Sequence, residues 1–352
     1  MLTLRMKSSL ECGWHIALLL LWSATPLWAV GPGGSTGQGT SIFSPASTPA
    51  KSIADVSVFV LVITGIIFLV VFALLLYSVV RFRGRATDGG REPAQVYGSM
   101  QIELAWTIIP ILIVVVLFLA TARVIHAVQD APEPAGALDV IAIGHQYWWE
   151  FRYPKLGIVT ANELHIPVSE PDHPTPTFLQ LLSVDTDHSF WVPELAGKTD
   201  LIPNHPNRMW MDPQRTGVFM GQCAQYCGTQ HAKMLLRVSV EGADDFGAWV
   251  HAQQKPAVED AGVIAGRQVF ERNACMNCHA VGGTPADGRF GPDLTHLMSR
   301  ATIAAGAAEN THDNLRLWIQ NPSAIKPGSL MPAMKLSDAD LDAVVSYMET
   351  LH

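Results

Sequence analysis

The chain has 352 residues, 49% of them hydrophobic and only 15% charged, with a formal net charge of −8. That length accommodates two or three domains. The apolar balance calls for membrane segments rather than a soluble globule alone, and the acidic balance, with a pI near 5.9, argues against a nucleic-acid partner.

Residues 1–29 read as a secretory signal: Arg5 and Lys7 precede the short apolar core IALLLLW, and LWA offers a cleavage site. Residues 30–52, rich in Gly, Ser, Thr and Pro, have a linker's composition. A transmembrane hairpin is expected over residues 53–123. Its first span, about 56–80, carries no charge, and neither does its second, about 104–122. Pro110 is tolerable in a membrane helix whose neighbours satisfy the freed carbonyl. The loop 81–103 opens on Arg81, Arg83 and Arg85. The positive-inside rule makes it cytoplasmic, so everything after the second span lies on the opposite, periplasmic or extracellular side.

Residues 124–242 change character. LDVIAIGHQYWWEFRY, TFLQLLSVDT and LLRVSV are short β-branched and aromatic runs between Pro- and Gly-containing turns, which predict an all-β sandwich or barrel. A polar linker is expected at 243–261. Residues 262–352 carry helical patterning, and Ser337 with Asp340 marks the start of a final helix.

Four of the five cysteines form two close pairs, Cys223/Cys227 and Cys275/Cys278; the fifth is Cys12. Close pairs read as metal or cofactor ligands rather than a disulfide framework. The second pair lies in ACMNCHA, a Cys-x-x-Cys-His attachment signature for c-type haem: two thiols can meet the vinyl groups on one porphyrin edge, with His279 held beneath the iron. A thioredoxin-like pair needs a βαβ setting, and half a zinc site needs a second pair nearby; neither is in the surrounding sequence. For the sixth ligand, GSLMPAMKL offers Met331 and Met334. This part resembles the small bacterial cytochrome c fold, whose axial methionine sits in a Met-Pro step, which selects Met331.

The first pair lies in GQCAQYCGTQHAKM, where Cys223, Cys227, His231 and Met234 step by four, four and three. A packed helical face would show an apolar stripe, but Gly228 follows Cys227 and the surroundings are β-rich. Two cysteines and a histidine suit zinc; a thioether beside them points to copper. Two cysteines suggest two coppers sharing thiolate bridges, with one more imidazole drawn from His145, His165, His173, His188 or His205.

DTDHSFWVPELAGKTDLIP followed by CAQYCGTQHAKM resembles subunit II of the haem–copper cytochrome c oxidases, as do ELAWTIIP and GHQYWWEFRYP. The resemblance covers residues 53–240, and the fused cytochrome c domain points to the caa-type class. It implies a cupredoxin-like Greek-key barrel between the membrane hairpin and an all-α cytochrome c domain. It also implies a dinuclear CuA centre on His188, Cys223, Cys227, His231, Met234 and the backbone carbonyl of Gln225. The other histidines take surface or structural roles. Position 225 is usually glutamate in that family, so Gln225 keeps the carbonyl role and puts in doubt the Mg²⁺ shared with subunit I. Tyr147, Trp148 and Trp149 stand where electrons from a soluble cytochrome would enter, and Glu103 matches a glutamate at the mouth of a proton path. Asp185 and Asp200 match acids near a docking surface.

The implied function is electron delivery, in a bacterial inner membrane, from a quinol–cytochrome c reductase or small cytochrome c, through haem c and CuA, to subunit I. Oxygen reduction and proton pumping occur in subunit I, and subunit III completes the complex. The rivals are a quinol oxidase subunit II, which lacks copper ligands, a membrane-anchored copper and haem carrier without an oxidase partner, and a nitrous oxide reductase, which needs a further multicopper domain.

Overall fold

The computed structural model describes residues 40–84, 95, 97–170, 174–257 and 261–352. The expected signal 1–29 with Cys12, His173, and Arg85 of the interhelical loop lie outside these residues.

Helix α1 spans Thr48–Arg81 and α2 spans Met100–Gln129. Both are apolar on every face and pack against each other, and their outward side chains are exposed, the signature of helices that need lipid or other helices as solvent. At 34 residues α1 is about 51 Å long, well beyond the ~30 Å hydrocarbon core. Its surplus lies at the amino end. The stretch 30–52 was expected to be linker throughout, but the helix begins inside it, at Thr48 with Pro49 in the first turn. Small residues explain the difference: Ala46, Ala50 and Ala54 are buried against the β domain. The Ala46 amide donates to the Glu194 carbonyl (2.8 Å) and Thr48 Oγ1 to Asp212 (2.5 Å). At the far end of α2, the Trp210 indole donates to the Val128 carbonyl at 2.7 Å.

Ten strands follow. One sheet has the order β3 (Ile158–Ala161), β2 (Trp148–Tyr153), β1 (Leu138–His145), β5 (Thr177–Ser183), β8 (Asn207–Met211). The other has the order β4 (Glu163–Pro167), β10 (Leu235–Glu241), β9 (Gly217–Cys223), β6 (His188–Trp191), β7 (Thr199–Leu201). Pairs β1/β5 and β4/β10 are parallel and the rest antiparallel. The alternation in runs such as LLRVSV puts Leu236, Val238 and Val240 inward, where they meet Trp149, Phe151 and Phe190 in one core.

The expected linker 243–261 contains an eleven-residue helix, α3 (Ala243–Gln253). Its polar composition disguised an aromatic anchor: Trp249 stacks on His165 with centroids 4.4 Å apart. Beyond it, α4 (Ile264–Arg272), α5 (His312–Gln320), α6 (Pro322–Ile325) and α7 (Asp338–Met348) form a second core, with Phe270 of α4 set edge-on to Tyr347 of α7. Ser337 caps α7, its hydroxyl accepting from the Asp340 amide.

Candidate metal centres

The first cysteine pair is assembled at one end of the sandwich. Cys223 is the last residue of β9, beside Phe190 of β6, and His188 opens β6. The chain leaves β9, turns through 224–230, makes a single 3₁₀ turn at His231–Lys233 and returns at Met234, whose carbonyl accepts the Cys223 amide at 3.0 Å. The four-four-three spacing therefore belongs to a closed loop.

The two sulfurs lie 3.9 Å apart. Cys223 Sγ is 3.9 Å from His188 Nδ1 and 3.1 Å from the Gln225 carbonyl oxygen. Cys227 Sγ is 3.8 Å from His231 Nδ1 and 3.8 Å from Met234 Sδ. The ligand atoms of His188, Cys223 and Cys227 all fall within 4.8 Å of one another, and all three residues are buried. Each sulfur has its own imidazole, and each has one weak donor besides. Two thiolate sulfurs with four further donors around them exceed what one tetrahedral zinc uses; thiolate, imidazole and thioether together suit copper. The Gln225 side chain points to solvent while its carbonyl faces the cradle.

The electrostatics favour a cation. The Cys227 thiol's hydrogen bond pulls Cys223 well down and raises Cys227 itself, so the pair holds one proton between them. Burial opposes charge on His188, but Asp185 behind it and Cys223 in front together outweigh burial and raise its pKa. His188 Nε2 meets Asp185 Oδ1 at 2.8 Å, which turns Nδ1 toward the sulfurs and fixes the tautomer. Asp185 also accepts the Gln146 amide at 2.6 Å. Asp185 thus sits behind a candidate ligand. The backbone of β1 makes room for the ring: a Cβ at Gly144 would come within 2.8 Å of it.

The second pair borders a cavity of about 410 Å³ in the helical domain, lined by Cys275, Cys278, His279, Met331 and Met334 among apolar neighbours. His279 Nδ1 lies 2.7 Å from the Pro292 carbonyl, so Nδ1 carries the proton and Nε2 is left with its lone pair. Burial pushes its pKa down, which keeps the ring neutral and able to ligate. Any Cβ at position 291 would lie 2.5 Å from that ring, so only glycine fits. Arg300 lines the cavity, buried, and its Nε has no partner among the described residues. Apolar walls, one neutral imidazole, two free thiols and an under-satisfied guanidinium fit a porphyrin with carboxylate side chains.

The remaining predicted residues are placed as follows. Trp149 is fully buried, 6.1 Å from the His188 ring centroid, with its indole nitrogen 3.5 Å from the Met234 carbonyl. Tyr147 and Trp148 line the cavity of the helical domain. Tyr147 also reaches the copper-side loop, its hydroxyl 3.2 Å from Thr229. His145 pairs with Glu150 and His165 with Glu241. Glu103 stands in the first turn of α2, where an acid complements the helix dipole. Asp200 pairs across strands with Ser189.

Two apolar helices, a β sandwich with a sulfur–imidazole cradle and a helical domain with a Cys-x-x-Cys-His cavity define a membrane-anchored redox protein. Residues 35–124 match the family described as cytochrome c oxidase subunit II, transmembrane domain; residues 138–241 match its periplasmic domain, and residues 263–352 match cytochrome c. The cytochrome c oxidase subunit 2 of Alkalihalophilus pseudofirmus is 35% identical over 321 residues, covering 89% of this chain and 91% of that one. The Bacillus subtilis protein of the same name is 31% identical, covering 96% and 98%. The quinol oxidase subunit 2 of B. subtilis is 30% identical over 62% of this chain and 67% of its own. Among solved structures, the periplasmic domain of subunit II from Bradyrhizobium japonicum is similar at 27% identity and a TM-score of 0.32, covering 35% of this chain and 96% of that one. The chain belongs to the cytochrome c oxidase subunit 2 family, as a member with a fused cytochrome c domain. Membership makes it part of an oxidoreductase complex with a subunit I partner, and its two domains imply copper and haem.

Proposed function

We propose that this chain is the electron-input subunit of a cytochrome c oxidase, taking electrons from a cytochrome donor at a covalent haem c and delivering them through a dinuclear CuA centre to subunit I for proton-coupled oxygen reduction. The observation that carries the reading is the pairing of one imidazole and one weak donor with each of two sulfurs 3.9 Å apart.

The protein's own residues supply position and polarity, while bound haem and copper supply the redox change. Cys223, Cys227, His188 and His231 would hold the copper pair, with Met234 and the Gln225 carbonyl as the weak ligands. Asp185 orients His188. Cys275 and Cys278 would hold the haem covalently, His279 and Met331 would ligate its iron, and Arg300 would pair with its carboxylates. Tyr147 and Trp148, between the cavity and the copper loop, suit electron passage. The Arg81 and Arg83 side of the hairpin is cytoplasmic in this reading. Glu103 stands at that same side, where a proton path into subunit I would begin. At position 225 the side chain is an amide without a carboxylate's charge, which counts against a Mg²⁺ site shared with subunit I.

Metal analysis with optical and paramagnetic resonance spectra of the full chain in detergent tests this reading. Two coppers in a mixed-valence signal and one low-spin c-type haem per chain are expected; one zinc and no copper would overturn it. Met331→Ala should abolish the low-spin haem features and spare the copper signal. The same loss from Met334→Ala, with Met331→Ala silent, would reassign the axial ligand.

A further inference from the structure

The cytochrome domain does not hang free on α3. Among the described residues, two buried charged side chains cross between the domains, one from each side. Glu163, at the start of β4, is 5% exposed, and Lys326, just after α6, is 3% exposed. The Glu163 carboxylate accepts the backbone amides of Ala301 (3.0 Å) and Thr302 (3.1 Å) and the Thr302 hydroxyl (3.2 Å). In the other direction, Lys326 Nζ donates to the Tyr147 carbonyl at 2.6 Å, with the Ala304 carbonyl of its own domain at 3.1 Å.

Further hydrogen bonds fill in between. Lys233 donates to the Ile325 carbonyl (2.7 Å), Gln230 to the Pro327 carbonyl, and the Leu235 amide to the Ala305 carbonyl (3.1 Å). The segment 230–235 contains His231 and Met234, and 325–327 leads directly into Met331. The two loops that carry candidate metal ligands are thus hydrogen-bonded to each other. On the copper side, Gln146 Nε2 donates to the Cys227 carbonyl at 2.6 Å, so the residue before the Lys326 acceptor is itself tied to the cradle.

A buried charge without partners is expensive, and a domain that merely brushed its neighbour would leave both of these in water. The contact leaves Lys326 only 3% exposed, and that burial pushes its ammonium down to about 7. We propose that Glu163 and Lys326 are positioning residues that clamp the cytochrome domain onto the copper domain, with its cavity against Tyr147 and Trp148, as the chain's resting arrangement. The clamp covers the aromatic face of the copper domain with the chain's own cytochrome, so a soluble cytochrome must deliver its electrons to the fused domain. That consequence rests on the metal assignments above; the clamp itself does not.

Hydrogen exchange of the full chain tests the clamp independently of metals. In the wild type, the Ala301 and Thr302 amides should be strongly protected. Lys326→Met, which keeps the aliphatic stem, should raise exchange at 301–302, whose amides bond to Glu163 and not to Lys326, by about tenfold or more, since removing one partner of a buried charged contact weakens an interface by at least that factor. Glu163→Gln should give a smaller rise there and also loosen the Lys326 end. In the oxidase complex, Lys326→Met should slow haem-to-copper transfer after rapid photoreduction by about tenfold or more, and speed direct copper reduction by a soluble cytochrome, with both metal spectra intact. Rapid exchange at 301–302 in the wild type, or protection and transfer unchanged in Lys326→Met, would overturn the clamp. Absent haem or copper spectra in the wild type would instead sink the metal reading and leave the exchange result to judge the clamp.

Discussion

Asp185 lies three residues before His188, and the turn between them decides what it does. Ser183 Oγ donates to the Thr186 carbonyl, folding Asp185 back under the imidazole rather than out toward a docking partner. Asp185→Asn removes the charge that orients and raises His188. Copper affinity should fall about 10- to 100-fold, measured by competition with a chelator, with haem content unchanged. The spacing Asp-x-x-His was readable in the sequence, but the direction of the side chain was not, because a turn decides it. The ligands themselves were legible for a chemical reason: thiol, imidazole and thioether are scarce side chains, and a short segment holding all three restricts the metal.

Glu150 carries a pH signature. Burial alone would raise its pKa; hydrogen bonds from His145 and Arg152 outweigh burial and lower it below 4.5. The stabilisation from this group is therefore complete above pH 4.5 and is lost as pH falls through the lower, folded value. Glu150→Gln should destabilise the sandwich by about 1–3 kcal/mol at neutral pH. The gap from wild type should close in acid, as followed by thermal unfolding of the full chain at stepped pH.

Among the elements, α1 and α3 show where composition misleads. Gly, Ser, Pro and Ala describe a linker when the chain is free, yet Ala50 and Ala54 are small because α1 lies close against the sandwich. Polar residues around 243–253 likewise describe the solvent face of α3 and hide the one tryptophan that fixes it. Helices without an apolar stripe were legible in the membrane, where hydrophobicity runs all round, and illegible at a domain surface, where one alanine edge or one ring suffices. Ala50→Leu should overpack the seat of α1 and cost about 1–3 kcal/mol. The loss should appear as a lower melting temperature of the sandwich, with the haem domain's own transition unmoved.

At the scale of the whole molecule, three domains in order were visible from three changes of periodicity: continuous apolar runs, alternation, and helical spacing. How the domains meet was not. The contacts that join the copper and cytochrome domains end largely on backbone carbonyls and amides, such as the carbonyls of Pro327 and Tyr147, which every sequence possesses. Their donors lie as far as 179 residues from their acceptors. No local pattern of side chains records such a meeting.

The seat of α1 and the Trp210 bond to the end of α2 fall on one short stretch, Trp210–Asp212. Two legs rise from the membrane and grip the same strand. A domain on one leg could swivel about the membrane normal; a domain on two has a fixed heading. The sulfur–imidazole cradle therefore has its bearing relative to the two helices set when the chain folds. The orientational search that ordinarily slows the docking of two protein surfaces is largely completed before the partner arrives.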